Sequence, residues 1–196
     1  MKQLLILIIL ISNTYLNGAV ILLYHNVSDK TPKSTSVNIN TFKNHLNYLE
    51  ENNFTVLPLE TILYNLKEGK QIPEKSVAIT FDDAYKSILT NAYSLLKEKN
   101  YPFTVFVNSQ AIQKSYKNFL SWKELKMLKD NGATIANHSH SHLHLVRQKN
   151  NETKTQWKKR ITKDILVLFK VELLLKKSWK LLDIFVGLKV HSFGLF

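Results

Sequence analysis

Cysteine is absent from this 196-residue chain, which excludes a disulfide framework and any lipid anchor carried on a thiol. Glycine and proline are scarce, at 5 and 4 residues, a composition that argues against long disordered stretches. No proline follows Pro102. Acidic residues are also in short supply, 15 against 27 Lys and Arg, for a net charge of +12. The excess is uneven. Residues 146–196 carry 12 basic and 4 acidic side chains, whereas residues 1–145 carry 15 and 11. A basic surface attracts anionic polymers, yet no basic stripe interleaved with aromatics occurs before residue 146. Nucleic acid is therefore not expected as a partner, and no protein partner is implied. Hydrophobic residues make up 44% of the chain, enough for one sizeable core and one domain.

The longest early apolar run, Leu4 to Ile11, falls short of the roughly 18–20 residues a membrane span requires. It follows Met1-Lys2-Gln3 and leads to the small residues Gly18 and Ala19. That layout predicts a secretory signal over residues 1–19, and hence an exported chain, periplasmic or secreted. A buried first strand or an uncleaved anchor is the alternative reading.

Beyond it, apolar strands and amphipathic helices alternate. Val20 to Tyr24, Phe54 to Leu57, Val77 to Phe81, Phe103 to Val107 and Ala133 to Ala136 read as buried strands. Phe42, Leu46 and Leu49 recur at helical spacing after a cap at Asn40 or Thr41, and Leu59, Ile62, Leu63 and Leu66 form a second helix closed by Gly69. Ile88 to Leu96 predicts a third helix. Ser121 and Glu124 form a capping box for another, which Gly132 ends. Continuous apolar strands alternating with helices imply a parallel α/β sheet of about five βα units, a barrel or an open sheet. Chemistry in such folds gathers at the C-terminal strand ends.

Two polar clusters stand at those ends. Asp82 and Asp83 follow the third strand; taken alone, such a pair reads as a helix cap. His138, His140, His142 and His144 follow the fifth; taken alone, they read equally well as a surface tract that binds metal loosely. Brought to one face, a carboxylate with His138 and His142 makes a three-point metal site with open positions. A second carboxylate is then free to act as general base. Tyr24 and His25 end the first strand at the same mouth. A satisfied core position is the plainer reading of His25, with substrate contact second.

Thr80-Phe81-Asp82-Asp83-Ala84 resembles the TFDDG motif of the polysaccharide deacetylases (NodB-homology, carbohydrate esterase family 4). Asn137-His138-Ser139-His140-Ser141-His142 is similar to their H-(S/T)-x-x-H motif. Leu22-Leu23-Tyr24-His25-Asn26-Val27-Ser28 resembles the opening strand of members acting on poly-N-acetylglucosamine-like or cell-wall glycans. The resemblance implies a partial (β/α) barrel of the NodB-homology type. It implies Asp82 as catalytic base and Asp83, His138 and His142 as ligands of a divalent metal: zinc, with cobalt or nickel as alternatives. Removal of N-acetyl groups from an N-acetylglucosamine-type polysaccharide is the implied reaction. Ser139 matches the small hydroxyl residue after the first ligand, and Ala84 replaces the usual glycine.

The resemblance runs from about Val20 to residue 145, and at most to Leu166. A further family motif, carrying Arg and a Pro-Tyr turn, has no counterpart. Leu188-Lys189-Val190-His191 matches the letters of a last motif that would supply a general acid, but only 49 residues past His142. The expected division is residues 1–19 as signal, 20–165 as an incomplete deacetylase domain and 166–196 as an atypical basic and apolar helical tail. A frameshift or truncation near 165–168 is the expected origin of that tail, and a catalytically inactive glycan-binding protein is the alternative function. A basic exported factor that binds anionic polymers through the tail is a third.

Overall fold

The computed structural model describes residues 18–144 and 146–179. The apolar run of the expected signal and His191 both lie outside the described residues. In chain order the elements are β1 (Ala19–Tyr24), β2 (Asn26–Val27), β3 (Ser36–Val37), α1 (Ile39–Glu51), β4 (Thr55–Val56), α2 (Leu59–Lys67) and β5 (Ser76–Phe81). A π-helical turn (Ile88–Ala92) leads into α3 (Tyr93–Glu98), then β6 (Phe103–Val107), α4 (Ser109–Gln113), α5 (Trp122–Asp130), β7 (Thr134–Asn137) and α6 (Lys154–Trp179).

Five strands form one parallel sheet in the order β1-β5-β6-β7, with β4 also on β5. Both β1 and β4 pair with Ser76 and Val77, so they flank β5 on opposite sides. Parallel strands buried on both faces carry unbroken apolar runs. β5 meets that description, since all six of its residues are buried. Strand side chains alternate between faces, and the core divides accordingly. Val77, Ile79 and Phe81 join Phe42 and Leu46 of α1, Leu96 of α3 and Leu125 and Leu128 of α5. Ala78, on the other face, packs with Leu59 and Ile62 of α2. Each fully buried large side chain contributes about 1.5–3 kcal/mol, so this double-sided packing fixes β5 as the central strand.

The first strand departs from expectation. It reads as buried, yet Val20, Ile21 and Leu23 are 52%, 50% and 56% exposed. Among the described residues β1 ends the strand order and pairs with β5 alone, so its apolar side chains have no second strand beside them there. The first helix is capped by Asn38, whose side chain accepts from the Thr41 N–H, not by Asn40 or Thr41. Ser121 and Glu124 form the expected capping box. Gly69 and Gly132, with φ +63° and +95°, take the left-handed turns after α2 and α5. α6 is one continuous helix through residues 165 and 166.

Candidate metal centre

Register brings the polar strand ends together. Tyr24 aligns with Phe81, Phe81 with Val105, and Val107 with Asn137. The residues that follow therefore emerge at one edge: His25 after β1, Asp82 and Asp83 after β5, Asn108 after β6 and His138 after β7. The Asp82 N–H donates to the Tyr24 carbonyl at 2.9 Å, and the His138 N–H to that of Val107 at 2.9 Å. Each continues its ladder by one step past the strand.

Asp83 is not a helix cap. It and Ala84 have φ +70° and +58°, a left-handed pair ahead of the π-helical turn. Such backbone costs about 1–2 kcal/mol per non-glycine residue and gathers at functional sites. The glycine expected of this motif would relieve it; Ala84 keeps the turn regardless, its side chain fully buried. The turn aims the Asp83 carboxylate inward. There Asn108 Nδ2 donates to Oδ1 at 3.1 Å, while Asn108 Oδ1 accepts from the Ala111 N–H at the start of α4. The Tyr85 phenol lies near Asp83; burial first, and then that carboxylate, hold the phenol above its ordinary 10.0.

The histidine loop curls back on itself. Ser139 and His142 have φ +72° and +54°. The Ser139 N–H donates to Asn137 Oδ1 at 2.8 Å, and the His142 N–H to Ser139 Oγ at 3.0 Å. This local ring of bonds turns both imidazoles to one point. His138 Nε2 and His142 Nε2 are 3.1 Å apart. They stand 3.7 and 3.3 Å from Asp83 Oδ1.

Metal–ligand bonds of about 2.0–2.2 Å in a tetrahedron place ligand atoms about 3.3–3.6 Å apart. The observed separations bracket that range, and all three ligand atoms lie within 4.8 Å of one another. Burial is the main cause that lowers the His138 imidazole below its ordinary 6.5, against the pull of Asp82 and Asp83. It is thus neutral near pH 7, the form a ligand requires. The donor set therefore fits a divalent cation.

Asp82 lies beside this group. Its Oδ2 is 3.7 Å from His138 Nε2 and 4.0 Å from His25 Nε2. Burial, more than any neighbour, raises its carboxyl above the ordinary 3.8, and the imidazoles of His138, His25 and His142 only partly offset this. His25 is half-buried against Asp82, not in the core. Tyr24 is turned away: its ring packs against Phe42 and Phe81, and its hydroxyl pairs with His45 Nδ1 at 3.0 Å. That phenol serves α1 rather than the mouth of the site. His140 also points elsewhere, its Nδ1 2.8 Å from Ser109 Oγ, and His144 is exposed.

Residues 69–178 match the polysaccharide deacetylase family, more than half of the chain. The chain belongs to that family. It is 33% identical over 156 residues to a poly-β-1,6-N-acetyl-D-glucosamine N-deacetylase of Staphylococcus aureus, covering 70% of this chain and 53% of the relative. The chain spans about half the length of the curated relatives it matches. Among solved structures, a Streptococcus pyogenes deacetylase in complex with acetate superposes with TM-score 0.68 at 21% identity, over 83% of this chain and 70% of that one. A protein from Ammonifex degensii superposes with TM-score 0.67 at 20% identity, over 82% and 69%. At such identities the likeness shows the fold, an α/β parallel sheet of the partial-barrel deacetylase type. The family match continues to residue 178, along α6 and past the expected limit of the resemblance at Leu166.

Three of the residues around the site escaped the sequence reading for different reasons. Asn108 had a usable signal, since it follows a buried strand at the same edge. Tyr85 lies two positions past Asp83, but nothing in its spacing shows which way its phenol points. Asp164, which accepts from Ser141, sits inside α6 and gives no local sign of its role.

Proposed function

We propose that this chain is a metal-dependent hydrolase that removes N-acetyl groups from an N-acetylglucosamine-type polysaccharide. One observation carries the reading: Asp83 Oδ1, His138 Nε2 and His142 Nε2 converge, with the second carboxylate, Asp82, directly beside them. Asp83, His138 and His142 would hold the ion, zinc or alternatively cobalt or nickel. A divalent ion held there supplies Lewis-acid polarisation of a carbonyl and lowers the pKa of water to about 7.

The remaining work falls to the chain. Asp82 takes a proton from the water that attacks the amide carbonyl carbon. Its place at the edge of the histidine pair, not among the three converging atoms, leaves it free for that role. Asn108 keeps the Asp83 carboxylate oriented. His25, on the far side of Asp82, is assigned to substrate contact. The carbon–nitrogen bond breaks as the nitrogen takes up the proton that Asp82 removed from the water, and acetate and a free glycan amine result.

The test is acetate release from N-acetylglucosamine oligomers by the purified chain loaded in turn with zinc, cobalt and nickel. Asp82→Asn should lower the rate by about 10²–10⁴-fold at unchanged metal content, while Asp83→Ala and His142→Ala should lose metal. A chelated chain as active as the loaded one would refute the proposal.

The same proposal takes residues 1–19 as an export signal, 20–165 as the catalytic domain and 166–196 as the tail. Mass spectrometry of the exported chain should find a mature N-terminus near Ala19. An intact Met1 on an exported chain would overturn this division.

A further inference from the structure

The histidine loop is not held by its own turns alone. Two of its residues, Ser139 and His142, occupy the left-handed region, which non-glycine residues leave readily unless their surroundings hold them. On one side, the N–H groups of Ser109 and Gln110 at the start of α4 donate to the carbonyls of Ser139 and His140, at 3.3 and 2.9 Å. On the other side stands α6. Asp164 accepts from both the N–H and the hydroxyl of Ser141 through a single oxygen, Oδ1, at 3.1 and 2.5 Å. Asp164 is only 6% exposed, and its Oδ2 has no hydrogen-bond partner among the described residues.

A buried carboxylate is a poor choice for packing a helix, because a side chain such as Leu would hold α6 at least as well. What a carboxylate adds here is two charge-assisted bonds to the residue immediately before His142. We propose that Asp164 is a positioning residue of the metal centre: from α6 it clamps Ser141 and so holds the imidazoles of His138 and His142 on one point. The inference rests on the metal-site reading above and extends it to a helix that contributes no ligand. Outer groups that orient metal ligands typically change affinity by about 10–100-fold when removed.

The test uses Co(II) alone as probe, titrated into the metal-free full chain, with the dissociation constant and the visible absorption band as readouts. Asp164→Leu keeps an apolar filling in the helix and removes both bonds. It should unfold no earlier than the parent, bind Co(II) about 10–100-fold more weakly and show an altered band. Asp164→Asn retains an acceptor oxygen and should restore most of the affinity. Ser141→Ala leaves the helix untouched and should weaken binding in the same direction, which keeps the question answerable if Asp164→Leu does not fold. Parental affinity and band in Ser141→Ala, or in a folded Asp164→Leu, would overturn the clamp and leave the metal site standing. Failure of the parent chain itself to take up Co(II) would instead remove the metal site, and the clamp with it.

Discussion

The chemistry proposed for this chain falls to four residues at two strand ends. Asp82, Asp83, His138 and His142 stand out because carboxylate and imidazole clusters are unusual directly after buried strands, and the strand register then sets them side by side. Less legible was the direction of each side chain. Tyr24 and His25 are neighbours in sequence, but strand alternation sends one towards α1 and the other towards Asp82. Ala84 gives a residue-scale prediction. Its left-handed backbone costs about 1–2 kcal/mol, while its buried methyl contributes about 0.8 kcal/mol. Ala84→Gly should therefore shift unfolding free energy by no more than about 1 kcal/mol in either direction. Ala84→Val adds a β-branched side chain at a positive φ inside the core and should cost more than about 2 kcal/mol. Urea denaturation of the two variants measures both, and a well-tolerated valine would show that the turn is not strained.

At the scale of elements, periodicity served well where a helix presents one apolar face and poorly where hydrogen bonds alone define the structure. Phe42, Leu46 and Leu49 announced α1. No periodicity announced β2 and β3, which are two residues each. They exist because side chains complete their bonding: the Val27 N–H donates to Ser87 Oγ, and Asn91 Nδ2 to the Val27 carbonyl. The approach to α6 carries its own titration. Arg160 grips Glu152 through both carboxylate oxygens at 2.7 Å, and the Lys149 N–H adds a third bond. Arg160, with the Lys149 N–H next, holds the Glu152 carboxyl down from 4.5 to about 2. A lowered folded-state value means that the stabilisation is complete above pH 4.5 and disappears as pH falls through about 2. Thermal unfolding of the parent and of Glu152→Gln should differ at pH 6 and converge towards pH 2. A gap that stays constant across that range would dissociate the stability from this ion pair.

For the molecule as a whole, the β-then-α alternation made the parallel sheet readable. The sequence did not show which strands would lie at its edges, because burial of a strand depends on neighbours supplied by distant segments. β1 is the clearest instance: among the described residues it is an apolar run with one hydrogen-bonded partner and three exposed side chains. An open edge of that kind invites pairing between copies. Leu23→Lys should reduce concentration-dependent light scattering without lowering the unfolding midpoint by more than about 2 °C, a shift that corresponds to about 0.5–1 kcal/mol. Unchanged scattering would place the association elsewhere. The scatter of the three converging ligands along the chain has a further consequence. Positions 83, 138 and 142 meet only in the folded protein, so the unfolded polypeptide, with a histidine tract that binds metal at most loosely, lacks the complete three-donor set. A chain threaded across a membrane before it folds, as the proposed export implies, would arrive with this site unformed. The ion it carried would then be chosen by the supply at its destination and not by the metal balance of the cytoplasm that made it.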